Sequence, residues 1–235
     1  MGGDLRTAIK EANGLTSIVD ANTAAQIPWI QAIYAAPYFA TLQFAPAADV
    51  LELPAPDPRL AYVQGVRHYA RAVAYAQQKN EIGFDKEMRE LSRIRQLDAL
   101  KPMVDQGMPA PDLLAIAEHV ARGKFASIRG RHLQAADHYR QAVAIEDRIS
   151  YMEPPWWYFP VNQSLGAALY RAGRYDDARQ AFTAALSDFP NNGWAHYGLA
   201  ASEQKLGRRA QAAAATAALN RAWMGDPKWL RMERL

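Results

Sequence analysis

Sliding the C-terminal third of the chain against itself brings Leu165 onto Leu199, Gly173 onto Gly207 and Ala178 onto Ala212, each at a spacing of 34 residues. A period of this length is one supersecondary unit that cannot bury its apolar face alone, so neighbouring copies must stack to make a core. The composition around it is that of helices. Alanine is abundant, β-branched runs are few, and Gly and Pro gather at intervals of a helix length. Signals for strands are nearly absent.

Within Phe159 to Asn192 the spacing is specific. Leu165-Gly166 is followed by Leu169, then by Ala178 and Phe182 as A-x3-F, and Pro190 closes the segment. Two antiparallel helices approach closely only where side chains are small, so Gly166 and Ala178 are expected to meet. Leu165, Leu169, Tyr175 and Phe182 fill the space around them, Gly173 makes the turn, and Pro190 stops the second helix. This pattern resembles the tetratricopeptide repeat, with Asn162 at the position of its tryptophan. A second copy, 193–226, keeps Leu199, Gly207 and Ala212 but has Ala200 for the glycine and Thr216 for the aromatic, and His196 takes the tryptophan position. An earlier copy over about 116–149 aligns Gly130, Ala135, Tyr139 and Ala142 at an offset of 43, which leaves nine inserted residues around Ser150 to Phe159.

Weaker helix pairs are expected at about 58–97, with Tyr69 to Tyr75 followed by Met88 and Leu91, and at about 27–53, with Pro37 ending or kinking the first helix and Ala47 to Leu51 as a short second one. Asp57-Pro58 and Asp226-Pro227 read as capped helix starts. Leu5, Ala8, Ile9 and Ala12 share one helical face, and Lys228 to Leu235 is expected to lay Trp229 and Leu230 over an open end. The fold class is therefore all-α, a right-handed solenoid of tetratricopeptide-like hairpins with capping helices at both ends, read as a single domain over 1–235. Together with Glu153-Pro-Pro-Trp-Trp, the sequence resembles the C-terminal part of longer bacterial tetratricopeptide proteins, which implies that the chain is a fragment.

Composition removes several function classes. With 50% hydrophobic and 22% charged residues in 235, the chain is a globular protein rather than a disordered one. Zero cysteines exclude disulfides, thiolate metal sites and a cysteine nucleophile. The net charge of +3 hides a basic end: Lys205 to Leu235 carries seven Lys/Arg against Asp226 and Glu233. That cluster is too sparse for a nucleic-acid stripe. No run is long and apolar enough for a membrane span, and Met1 to Ile18 lacks the order of a secretory signal. The default compartment is cytoplasmic, with the periplasm open if a leader precedes a fragment.

A catalytic reading finds little support. None of His68, His119, His132, His138 and His196 has a His, Asp or Glu three or four residues away. No nucleophile elbow, zinc helix, phosphate loop or dinucleotide turn occurs, and no cofactor or metal is expected. The proline-aromatic insert 153–159 has two readings. Trp156 and Trp157 either plug a junction between repeats or form a hydrophobic lip for a ligand.

The resemblance implies a protein-interaction module that binds a peptide or helix of a partner on the concave face lined by the first helices. The positions that carry over are Lys124 in one copy, Gln163, Tyr170 and Arg171 in the next, and Tyr197, Gln204 and Lys205 in the last. Ala167 and Ala201 stand where asparagines would complete the carboxylate clamp of some relatives. A small-molecule-binding or enzymatic domain using the insert is the alternative, and a subunit that self-associates through its repeat ends is a third.

Overall fold

The computed structural model describes residues 2–235, and among the described residues all regular structure is helical. Successive helices pair into hairpins along the sequence, the all-α class expected from the repeat. The chain divides into two compact units. The first comprises Leu5–Phe125 and Ala144–Tyr158; the second, the repeat unit, comprises Ala126–Val143, Phe159–Leu235 and the segment ending at Asp4.

The first unit opens with α1 (Leu5–Ile18), α2 (Ala21–Gln26), α3 (Gln31–Tyr34), α4 (Ala36–Phe44) and α5 (Ala47–Glu52). Helix α1 packs on α4 and buries Ala12, and the Asp20 carboxylate caps α2 by accepting from Thr23 N at 2.7 Å. The helix break expected at Pro37 falls just before it. Pro37 occupies the first turn of α4, where its missing N–H leaves no bond unmade, and the break falls at Ala35. After α5 the chain reaches α6 (Ala61–Gln77) and α7 (Glu81–Arg95), the best-defined hairpin of this unit. Tyr69, Met88 and Leu91 are buried in it as the sequence pattern required. Asp57-Pro58 is a turn rather than a helix start: the Asp57 carboxylate is taken by Arg59 N at 2.9 Å and Arg59 Nη2 at 2.7 Å, and α6 begins only at Ala61. Helix α8 (Lys101–Asp105) and α9 (Ala110–Ile128) follow, and Gly65 in α6 lets the Leu114 side chain of α9 close against the backbone.

The repeat unit takes the last turn of α9, most of α10 (His132–Glu146), and then α11 (Val161–Arg171), α12 (Tyr175–Asp188), α13 (Gly193–Lys205) and α14 (Arg209–Ala222), with α11 on α12, α12 on α13 and α13 on α14. One turn geometry recurs. Arg131 N bonds Ala126 O, Arg174 N bonds Leu169 O and Arg208 N bonds Glu203 O at 2.9–3.0 Å, each across a glycine (Gly130, Gly173, Gly207) with φ of 76°, 78° and 74°. This is the six-to-one bond that closes a helix whose next residue is left-handed, a conformation that glycine adopts without strain.

Gly166 and Ala178, expected at the close approach of α11 and α12, lie where these helices pack. Both are buried, and a Cβ on Gly166 would fall 2.8 Å from the ring of Phe182, so the glycine makes room for that aromatic ring. The tryptophan position shifts. The large buried residue of α13 is Trp194, whose ring meets Trp223 edge-on at 4.8 Å, while His196 bonds the Pro190 carbonyl through Nε2 at 2.9 Å.

Both ends of the chain return to this unit. Met224 N and Gly225 N donate to Gly2 O at 2.7 and 3.1 Å. Asp226 caps a single 3-10 turn, Pro227–Trp229, by accepting from Lys228 N at 2.9 Å. Trp229 and Leu230 are only half-buried. The anchors of the final segment are Met232 and Leu235, which lie deeper because the turn ends at Leu230 and directs the chain onward.

Candidate functional site

The stacking of α11 and α13 decides which of the sequence-derived positions come together. Tyr170 and Arg171 end α11, Tyr197 lies in the second turn of α13, and Gln204 and Lys205 end α13. Tyr170 meets Tyr175 at 5.3 Å between ring centroids, and the Lys205 ammonium lies 5.9 Å from the Tyr175 ring. Burial, followed by the neighbouring Tyr170 and the charge of Glu233, raises the pKa of the Tyr197 hydroxyl above the ordinary tyrosine value. Arg171 donates from Nη1 to Ser127 Oγ at 3.1 Å, and its Nε lies 4.0 Å from Glu233 Oε1. Tyr197 and Gln204 also line a cleft of about 670 Å³ between α13 and α14, shared with Ala201, Arg209, Thr216 and Leu219.

One sequence-derived position is turned inward. Gln163 is 4% exposed and accepts a hydrogen bond from Asn192 Nδ2 at 2.8 Å, so it is spent inside the fold instead of facing a ligand. Lys124 lies in the last two turns of α9. Trp156 and Trp157 are buried. Trp157 packs on Phe39 and Tyr69 at 5.3 and 5.7 Å, and Tyr158 stacks on Phe39 at 4.5 Å while donating to Ala32 O at 2.9 Å. The insert therefore supplies core to the first unit, which is a packing role, although Tyr151 stays exposed.

Residues 169–233 match the family model of the tetratricopeptide repeat. These C-terminal hairpins are tetratricopeptide repeats. The match covers the end of α11 through the segment that follows α14 and so includes Tyr170, Arg171, Tyr197, Gln204 and Lys205. Tetratricopeptide repeats serve generally as protein-interaction scaffolds, typically without catalysis of their own. No curated protein matches the chain.

Among the described residues, no group of three His, Asp or Glu is placed to hold a metal ion, and no helix is long and apolar enough to cross a membrane. One polar constellation outside the tetratricopeptide segment escaped the sequence reading. Glu87 of α7 sits between His68 and Arg71 of α6, with Oε2 2.6 Å from His68 Nδ1 and Oε1 accepting from Arg71 Nε at 2.9 Å. Arg71 also donates to Leu51 O and to the Tyr75 hydroxyl. Burial alone would push the Glu87 carboxyl up, but the hydrogen bonds and charges of His68 and Arg71 bring it below the ordinary glutamate value. His68 and Arg71 are three residues apart on one helix face. Their acidic partner comes from another helix, so an offset search along one helix could not find it.

Proposed function

We propose that the chain is a protein-interaction module that accepts a peptide or helix of a partner on the face formed by α11 and α13, with Tyr170 and Tyr197 as apolar anchors and Arg171, Gln204 and Lys205 as polar readers. The observation that carries this reading is the convergence, across two tetratricopeptide hairpins, of two partly exposed tyrosines and a partly exposed arginine. Tyrosine offers contact area with few torsions to freeze, and an arginine beside it selects and steers an acidic group. The buried Gln163 is not part of the surface.

Random peptides displayed on phage and selected on the purified chain supply the test. Peptides that bind the unaltered protein are expected to lose at least about tenfold in affinity with Tyr197→Ala or Arg171→Ala, as loss of an interface anchor does. Helix content by circular dichroism is expected to stay the same. Selected peptides that ignore both substitutions, or a selection that yields no binder, would remove the assignment.

A further inference from the structure

The last six residues of the described chain reach the same face through Glu233. Glu233 is 63% exposed, yet its carboxylate turns to Arg171 at the end of α11. On either side of it, Met232 and Leu235 are 7% and 5% exposed. The segment forms no helix past Trp229. Two of its backbone bonds are local, Arg231 N to Trp229 O at 2.8 Å and Arg234 N to Arg231 O at 3.0 Å. Arg234 stacks over the Trp229 ring at 3.9 Å, which folds that cation back onto the segment. Buried Met, outward carboxylate on an arginine and buried Leu have the make-up of a short linear epitope held at this face through its carboxylate.

We infer that residues 230–235 are a built-in occupant of the α11–α13 face, and that the partner segment which this face accepts is of the same chemistry, two apolar anchors flanking a carboxylate that reaches Arg171. This rests on the proposed interaction surface and names its ligand class. Charge argues for it as well. The segment that supplies the carboxylate otherwise belongs to a basic end, where Glu233 and Asp226 are the acids against seven cations, and it is Glu233 that meets the arginine. A tethered segment competes at a local concentration that a free one must match, so the occupant sets a threshold for partner binding without abolishing it.

The test uses a fluorescent peptide with the sequence Asp226 to Leu235, titrated by anisotropy into the full chain and into the full chain carrying Met232→Asp with Leu235→Asp. The peptide is expected to bind the double variant at least about tenfold more tightly than the unaltered protein, since the tethered competitor has been released. Adding Arg171→Glu to the double variant is expected to remove that binding. Glu233→Lys alone, at an exposed position that cannot disturb the core, is expected to open the face to the peptide in the same direction. Equal affinity for all forms, or no binding to any, overturns the inference. Peptides selected by display separate the two ideas. If they still depend on Tyr197 and Arg171 but bind the double variant no better than the unaltered chain, the surface stands and the built-in occupant falls. If they depend on neither residue, both fall.

Discussion

The ring of Phe182 occupies the space that a methyl group on Gly198 would need: a Cβ built there lies 2.2 Å from Cζ, and one built on Gly166 lies 2.8 Å from Cε1. One fully buried aromatic from α12 thus rests on glycines of both flanking helices, its own hairpin partner α11 and the first helix of the next repeat, α13. Coupling between consecutive repeats passes through this ring. Gly198→Ala is expected to destabilise the repeat unit by about 1–3 kcal/mol through overpacking, and Phe182→Ala by about 3–5 kcal/mol through the cavity it leaves. In the Phe182→Ala background the cost of Gly198→Ala should nearly vanish. Urea denaturation of the two single variants and the double one measures this coupling, and simple additivity would show that ring and glycine act independently.

The turn between α6 and α7 repeats the geometry of the tetratricopeptide turns with the wrong residue in it. Asn80 N bonds Tyr75 O at 2.9 Å across Lys79, whose φ is 58°, in the place that Gly130, Gly173 and Gly207 hold in the repeat unit. A left-handed lysine costs about 1–2 kcal/mol that glycine avoids, while the greater freedom of unfolded glycine returns about 0.4–1 kcal/mol. Lys79→Gly is therefore expected to stabilise the protein by roughly 0.5 kcal/mol, and Gly173→Ala to destabilise it by about 1 kcal/mol. Thermal melts of the two variants should move in opposite directions.

Lys79 also shows where the sequence stopped being legible. The 34-residue stride, the turn glycines and the burial of Leu165, Leu169 and Phe182 could be read directly, because tiny residues and helix breakers at fixed offsets have few other uses. The α6–α7 hairpin could be read only from its apolar face, since its turn carries no glycine. Gly198 was invisible because it sits two residues away from the position that strict periodicity assigns, at Ala200. Among the candidate site residues, Tyr170, Arg171 and Tyr197 came together through helix stacking, which the period implies. The fate of Gln163 depended on Asn192, a helix cap 29 residues away, and that pairing has no local signature.

Asn192 performs two tasks at once. Its Oδ1 accepts from Trp194 N and Ala195 N at the start of α13, and its Nδ2 donates to Gln163 Oε1 of α11. Asn192→Asp preserves the cap and removes the donor, placing a carboxylate against a buried amide oxygen. Asn192→Ala removes both. The cap is worth about 1 kcal/mol, and a buried acceptor left unmade costs a further 1–3 kcal/mol or so. Both variants are expected to be destabilised in chemical denaturation, and Asn192→Asp should recover when Gln163 is also changed to Lys, which supplies a donor to the new carboxylate. An Asn192→Asp variant as stable as the unaltered protein would place the energetic weight on the cap alone, since the cap is what that substitution keeps.

The Glu87 carboxylate ties stability to pH. It is held below the ordinary glutamate value of 4.5 against the opposing effect of burial, so its contribution is complete above the unfolded-state value and is lost as pH falls through the lower, folded-state one. Its side chain is 5% exposed, and protonation there would leave Arg71, itself largely buried, facing a neutral partner. Glu87→Gln should therefore cost about 3 kcal/mol at neutral pH, the order expected when one member of a buried ion pair is removed. The same variant should show a shallower loss of stability on acidification, because the group that takes up the proton is gone. Urea midpoints measured for both proteins from neutral pH down through the glutamate range give the comparison, and parallel curves would mean that other carboxylates govern the acid response.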